Sequence, residues 1–273
     1  MKTRGTIAVA CALSLALFGC GGNGAPANNG GSGGQTTEQT QVVATPVGTW
    51  KVAAVEMEGI TMTGDIAEFA KVFGADDSSA EMINMAIDLQ EGGKGTISAG
   101  TEKHDITWKE EAGKITLSST GESASNMTGT FKDGVITIAV EENGPSVIMT
   151  PDGTYADAKT FDRTGAKPVT SESELSGTWK MVGLNMMGLS MYGESDALAK
   201  VFGFDAATLT FNAGGKANLF GEETTYTVDA NGTKIANSDA SGVQIDVLSL
   251  DGNLIVDMGA AMGGVDMFLV MGK

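Results

Sequence analysis

The sequence predicts an all-β chain with short helices, arranged as two tandem eight-stranded antiparallel meander barrels, each with a short helix between strands 1 and 2. Three observations carry this expectation. The word Gly-Thr-Trp-Lys occurs twice, at Gly48 to Lys51 and at Gly177 to Lys180. Aligned on it, residues 48–74 and 177–203 match without a gap and share 13 of 27 positions, which marks one module used twice. Through both copies, turn signals recur about every seven to twelve residues, the spacing of short strands joined by hairpins.

The chain begins with Lys2 and Arg4 and an apolar run from Ile7 to Phe18 broken only by Ser14, which reads as a secretory signal peptide over residues 1–19. The run is too short to span a bilayer. It ends in Leu17-Phe18-Gly19-Cys20, which resembles the lipobox of bacterial lipoproteins. That resemblance implies cleavage before Cys20 and a diacylglycerol and a further acyl chain, such as palmitate, on it. Two or three chains on one residue anchor a protein stably, where one chain binds only marginally. The expected location is therefore lipid-anchored to a membrane and exposed outside the cytoplasm, on the cell surface or the periplasmic side. Cys11 leaves with the signal peptide, so the mature chain has no second cysteine with which to form a disulfide. Residues 20–46 are rich in Gly, Asn, Ser, Thr and Gln and read as a flexible linker. About twenty such residues reach roughly 25 Å.

Removing residues 1–19 leaves 15 basic and 34 acidic residues, a net charge of −19. Such a surface disfavours nucleic acid and anionic headgroups, which leaves the lipid anchor as the only expected contact with the membrane. The acid pairs Asp76-Asp77, Glu110-Glu111 and Glu141-Glu142 lack the spacing of a calcium loop.

The first barrel is expected over 47–152, with strands near 48–57, 84–90, 95–99, 103–109, 114–119, 126–132, 135–140 and 146–150. Ile66, Phe69, Ala70 and Phe73 recur at helical spacing between Asp65 and Gly74 and predict a short amphipathic helix after strand 1. Polar residues 153–175, with Pro168, read as a linker. The second barrel, 176–273, repeats the scheme with strands near 177–186, 206–212, 216–220, 223–229, 233–238, 242–249, 253–258 and 265–271. Its helix carries Leu198, Ala199 and Phe202 between Ser195 and Gly203. Eight strands suffice for a meander to close and remove its edges. In each barrel the helix should rest its apolar face on the open end.

With a G-x-W on the first strand, at Gly48-Thr49-Trp50 and Gly177-Thr178-Trp179, each module resembles the lipocalin-like, calycin-type barrels of bacterial lipoproteins. The helix between the first two strands looks more like fatty-acid-binding proteins, where helices act as a lid. The resemblance implies a barrel that holds a small apolar ligand. One departure is plain. Lipocalins commonly stack an arginine from a late strand on the tryptophan, but the mature chain has only Arg163, in the linker, so the barrel base must be closed differently.

Little points to catalysis, and no enzyme activity is expected. Nucleophilic chemistry needs a base beside the nucleophile, and His104 is the chain's one histidine. Alternation with Ile106 and Trp108 puts it on an inward face, where it reads as a structural residue rather than a ligand contact. No cofactor and no metal are expected, since there is no His/Cys cluster and no phosphate-binding loop. Of fourteen mature methionines, Met57, Met62, Met181, Met186, Met187 and Met191 crowd the first strands; they read as core filler or as an adaptable cavity lining, and a copper(I) site lacks partners.

Two functions remain. In the first, an envelope lipoprotein binds small neutral hydrophobic ligands within barrels lined by Trp50, Met57, Phe73, Trp108, Trp179, Met186 and Phe202. In the alternative, filled barrels act as a non-catalytic structural or interaction module with a protein partner.

Overall fold

A computed structural model describes residues 45–66, 85–119, 126–139, 144–236 and 243–273. The fold is all-β with a few short helices. Its elements are β1 (Gly48–Met57), β2 (Ile60–Thr63), β3 (Ala86–Gln90), β4 (Lys94–Ala99), β5 (Glu102–Glu111), β6 (Lys114–Ser119), β7 (Asn126–Lys132), β8 (Val135–Ala139), β9 (Ser146–Thr150), β10 (Lys167–Pro168), α1 (Glu172–Leu175) and β11 (Gly177–Met186). Then follow β12 (Leu189–Gly193), α2 (Ser195–Val201), β13 (Thr208–Asn212), β14 (Lys216–Leu219), β15 (Glu222–Asp229), β16 (Gly232–Ala236), β17 (Gln244–Leu250), β18 (Asn253–Asp257) and β19 (Met267–Gly272). The helix expected around Phe69 and Phe73, and Cys20 with its flanks, lie outside the described residues.

Strand pairing closes an eight-stranded antiparallel β-barrel. β11 pairs with β13, each strand pairs with the next as far as β19, and β19 returns to β11. In the N-terminal half the same order holds: β1 pairs with β3, the pairing runs strand by strand to β9, and β9 returns to β1. Apolar residues alternate inward, as with Ile87 and Leu89 on β3 and Leu209 and Phe211 on β13, all buried. Tight hairpins connect the strands. At Asp133-Gly134 and Asp251-Gly252 both turn residues have positive φ (51° and 76°; 50° and 83°), the conformation that matches strand twist and that Asp-Gly adopts readily.

β2 and β12 were not among the expected strands. Each forms because strand 1 of its half bends. The register of β1 against β9 slips between Val52 and Ala54, and that of β11 against β19 slips between Met181 and Gly183. An extra residue of this kind kinks a strand and increases its twist. The first half of each long strand pairs with β3 or β13, and the bent second half pairs with its own short partner, β2 or β12. β2 then pairs antiparallel with β12, so hydrogen bonding runs unbroken through β1, β2, β12 and β11.

Segment 153–175, expected as a linker, forms a strap over the C-terminal barrel. The Phe161 ring sits on Gly183, where a Cβ would collide with it. Asn185 Nδ2 donates to Phe161 O at 3.0 Å, and Phe161 N donates to Ser190 Oγ at 3.0 Å. Arg163 forks onto Asp257 (2.5 Å) and Asp266 (2.8 Å), and β10 pairs with β17. The polar composition that suggested a free linker is the outer face of this strap; Phe161, Val169 and Leu175 are its anchors, with Val169 and Leu175 fully buried.

Candidate functional site

Each tryptophan of the repeated word sits inside its half of the protein. Trp50 is 1% exposed and Trp179 4%, whereas the neighbouring Lys51 and Lys180 face water. The indole nitrogens are satisfied in the same way: Trp50 Nε1 donates to Pro46 O and Trp179 Nε1 to Leu175 O, both at 2.8 Å and both four residues upstream. A buried indole N–H needs such a partner, so the lead-in to each first strand is held against the ring.

Beyond the indole the two environments differ. The Trp50 ring meets Phe131 edge-on, with centroids 5.7 Å apart. Register places Ser249 at the position of Phe131 in the second half, and there Lys273 lies over Trp179 instead, its Nζ 4.6 Å from the ring centroid. A lysine just past the last strand thus stacks on the tryptophan. Arg163 does not take this role; it lies over Phe268 on the outside of the barrel, 5.5 Å from the ring centroid.

The sequence-predicted lining residues fall into two groups. Trp179, Met186 and Phe202 are buried together in the larger core cluster, with Met57 half-buried against it. Trp50 and Trp108 belong to the smaller cluster of the N-terminal half, where Trp108 is half-buried. Trp108 Nε1 donates to Gln90 O (3.0 Å) and Lys94 O (2.9 Å), so its polar end closes the β3–β4 turn and carries no free donor. Its register counterpart Tyr226 does the same work, donating to Asn212 O at 3.2 Å, and burial raises the Tyr226 phenol above its ordinary value. Phe73 lies outside the described residues.

His104 departs from expectation. It shares a strand face with Ile106 and Trp108, but it sits at the start of β5, where among the described residues β5 pairs with β4 and not yet with β6, and 63% of its side chain is exposed. Its Nε2 lies 3.3 Å from Glu102 Oε2, an exposed pair. Alternation assigns a face, and a face is interior only where neighbouring strands enclose it.

Three inner positions of the first half are half-buried where their register counterparts in the second are buried: Val52 against Met181, Met127 against Ile245 and Val147 against Leu269. What fills the C-terminal end is α2 with its buried Leu198 and Ala199, then Phe202, Phe204 and Phe220 in a stacked series at 6.1 and 4.4 Å. Ser195, expected as the helix cap, instead donates its hydroxyl to Met181 O at 2.6 Å, fastening α2 to the bulge in β11. Phe204 was missed because it stands in a loop, where periodicity is silent, and Phe220 because it was expected within strand 216–220, whereas the strand ends at Leu219 and Phe220 turns with φ 55°.

A surface cleft of about 290 Å³ lies beside the β1–β2 turn, lined by Glu56, Met57, Glu58, Gly59, Thr61, Gly144 and Ser146. Lys200 of α2 reaches Glu58 at 2.8 Å. Among the described residues no three His, Cys, Asp or Glu side chains gather as a metal site, and no helix is long and apolar enough to cross a membrane. On the strap, Thr164 donates from its backbone N–H (2.9 Å) and its hydroxyl (2.8 Å) to Asp162, which holds that carboxyl below the usual aspartate range. No protein-family model matches the chain, and no curated protein or solved structure matches it either.

Proposed function

We propose that the chain is a non-catalytic lipoprotein of the cell envelope, anchored through Cys20 outside the cytoplasm and built as two tandem lipocalin-like barrel modules that present surfaces to a partner. The observation that carries this reading is the filled interior of the second half, where Met181, Leu184, Met186, Leu189 and Leu269 are each at most 1% exposed. A barrel packed this way offers its outside, not its inside. The matching ring of pairings in residues 48–150 supports a second barrel. The N-terminal sequence, from Lys2 to Cys20, supports the anchor.

Native mass spectrometry of protein purified from its own host tests the proposal. The expected species starts at Cys20, carries acyl mass there, and retains no other small molecule. An apolar molecule that survives desalting would favour a second reading, in which the first barrel holds a small neutral hydrophobic ligand. That reading draws on Val52, Met127 and Val147, which are half-buried where their register counterparts Met181, Ile245 and Leu269 are buried.

A further inference from the structure

The seam between β2 and β12 is self-complementary. The repeat relates each residue to the one 129 positions later, so Thr61 corresponds to Ser190, Met62 to Met191 and Thr63 to Tyr192. The observed partners are Thr61 with Tyr192, Met62 with Met191 and Thr63 with Ser190. Applying the repeat to the first pair returns the third, and Met62 faces its own counterpart. A local two-fold axis therefore passes through the Met62/Met191 pair.

The glycines obey the same axis. A Cβ on Gly193 would collide with Gly59 O, and a Cβ on Gly64 would lie 2.6 Å from Gly188 O. Gly64 corresponds to Gly193 and Gly59 to Gly188, so these are one contact made twice. The identities shared by the two copies thereby gain a reason: Met57/Met186, Gly59/Gly188, Met62/Met191 and Gly64/Gly193 all sit on the bent hairpins that form the seam or face it. A two-fold interface uses the same patch on both sides, which requires the same residues in both copies. Behind the seam Ile60, Met62, Leu189 and Met191 are all buried in one cluster.

We propose that this hairpin edge is a homotypic docking surface whose further partner is a second copy of this chain: two chains exchange modules, β2 of each pairing with β12 of the other, to make a dimer with two seams. The hinge is the short stretch between β9 and the strap, residues 151–156; beyond it the strap is fastened to the second module by Arg163 and Phe161, and its bond to β2, from Thr63 Oγ1 to Lys159 O at 3.2 Å, belongs to the seam and re-forms between chains. Every seam contact in the closed monomer is available between chains in the exchanged dimer, so local concentration decides between them. For a short connection that crossover lies on the order of 1 mM. Protein crowded on a surface reaches such concentrations more readily than protein in bulk. The inference rests on the two-module reading above but not on what the barrels bind.

The test uses the mature chain, residues 20–273, with Cys20→Ser and with Met62→Cys and Met191→Cys, refolded from guanidinium at about 10 μM and about 1 mM. After oxidation, the expected result is a monomer with an internal disulfide from the dilute sample. The concentrated sample should give a dimer by light scattering, whose disulfides join two chains on a non-reducing gel. Adding Gly193→Val should loosen the seam in both arrangements and leave the monomer–dimer ratio unchanged, because the branch meets Gly59 O in either one; a dimer share that falls while the monomer persists would overturn the exchange. Monomer at both concentrations overturns the proposal, as does a dimer or aggregate without a 62–191 link between chains. If the cysteine chain does not refold, the Cys20→Ser chain alone, read by light scattering at the same two concentrations, decides it. Ligand retention in native mass spectrometry is independent of all these outcomes, so the two proposals fail separately.

Discussion

On the outside of the C-terminal barrel, Leu248, Leu250, Ile255 and Phe268 form an apolar face, and the strap lies on it. At the same register positions the N-terminal half carries Thr130, Lys132, Thr137 and Ser146. Strands under the strap are apolar on both faces, as burial demands of any sheet; on the N-terminal half Ala54 and Ile148 are buried on the outer face of β1 and β9, while β7 and β8 carry the polar residues. Inside, three positions that are buried in the second half are half-buried in the first. One repeated sequence thus carries a strap on its second half, and the outer residues of that half are apolar where they meet it.

The filled interior can be tested most strongly by truncating paired positions. Leu269→Ala should cost about 2–5 kcal/mol, because the fully buried side chain leaves a cavity, whereas Val147→Ala, half-buried, should cost about 1 kcal/mol or less. Urea denaturation midpoints read both, and equal losses would erase the asymmetry. Removing the strap's anchor comes next. Phe161→Ala should cost about 1–2 kcal/mol and speed hydrogen exchange in β11 and β19 while leaving β7 to β9 unchanged. If β7 to β9 exchange faster as well, the strap serves both halves alike. The smallest effect belongs to the barrel floors. Lys273→Ala should lose about 0.5–1 kcal/mol and alter the fluorescence of Trp179, with Trp50, which meets Phe131 instead, unaffected.

The strand positions were legible in the sequence, the contrast between the halves was not, and the limits are instructive. Strands such as 114–119, 126–132 and 146–150 stand where alternation and turn residues put them, because hairpin chemistry is local. The inward tryptophans and outward lysines follow from period two alone. His104 failed because alternation does not say where neighbouring strands enclose a face. The strap failed because a segment with few apolar residues spends them all on distant partners: Phe161 on Gly183, Leu175 on the second core. β2 and β12 failed for a different reason. Each is joined to its own strand 1 by a two-residue turn, at Glu58-Gly59 and Met187-Gly188, but four or five residues are too few for alternation to show.

The sequence by itself determined a duplicated, strand-rich module with a strongly acidic composition and a tryptophan at the head of each copy. Composition and short-range periodicity carry those facts, since they depend on residues within a few positions of one another. Only the tertiary structure decided that the copies meet across a two-fold seam, that the intervening segment straps one of them, and that a lysine lies over Trp179. Each of those depends on contacts between residues far apart in the chain, and no local pattern reports where a distant partner will be brought.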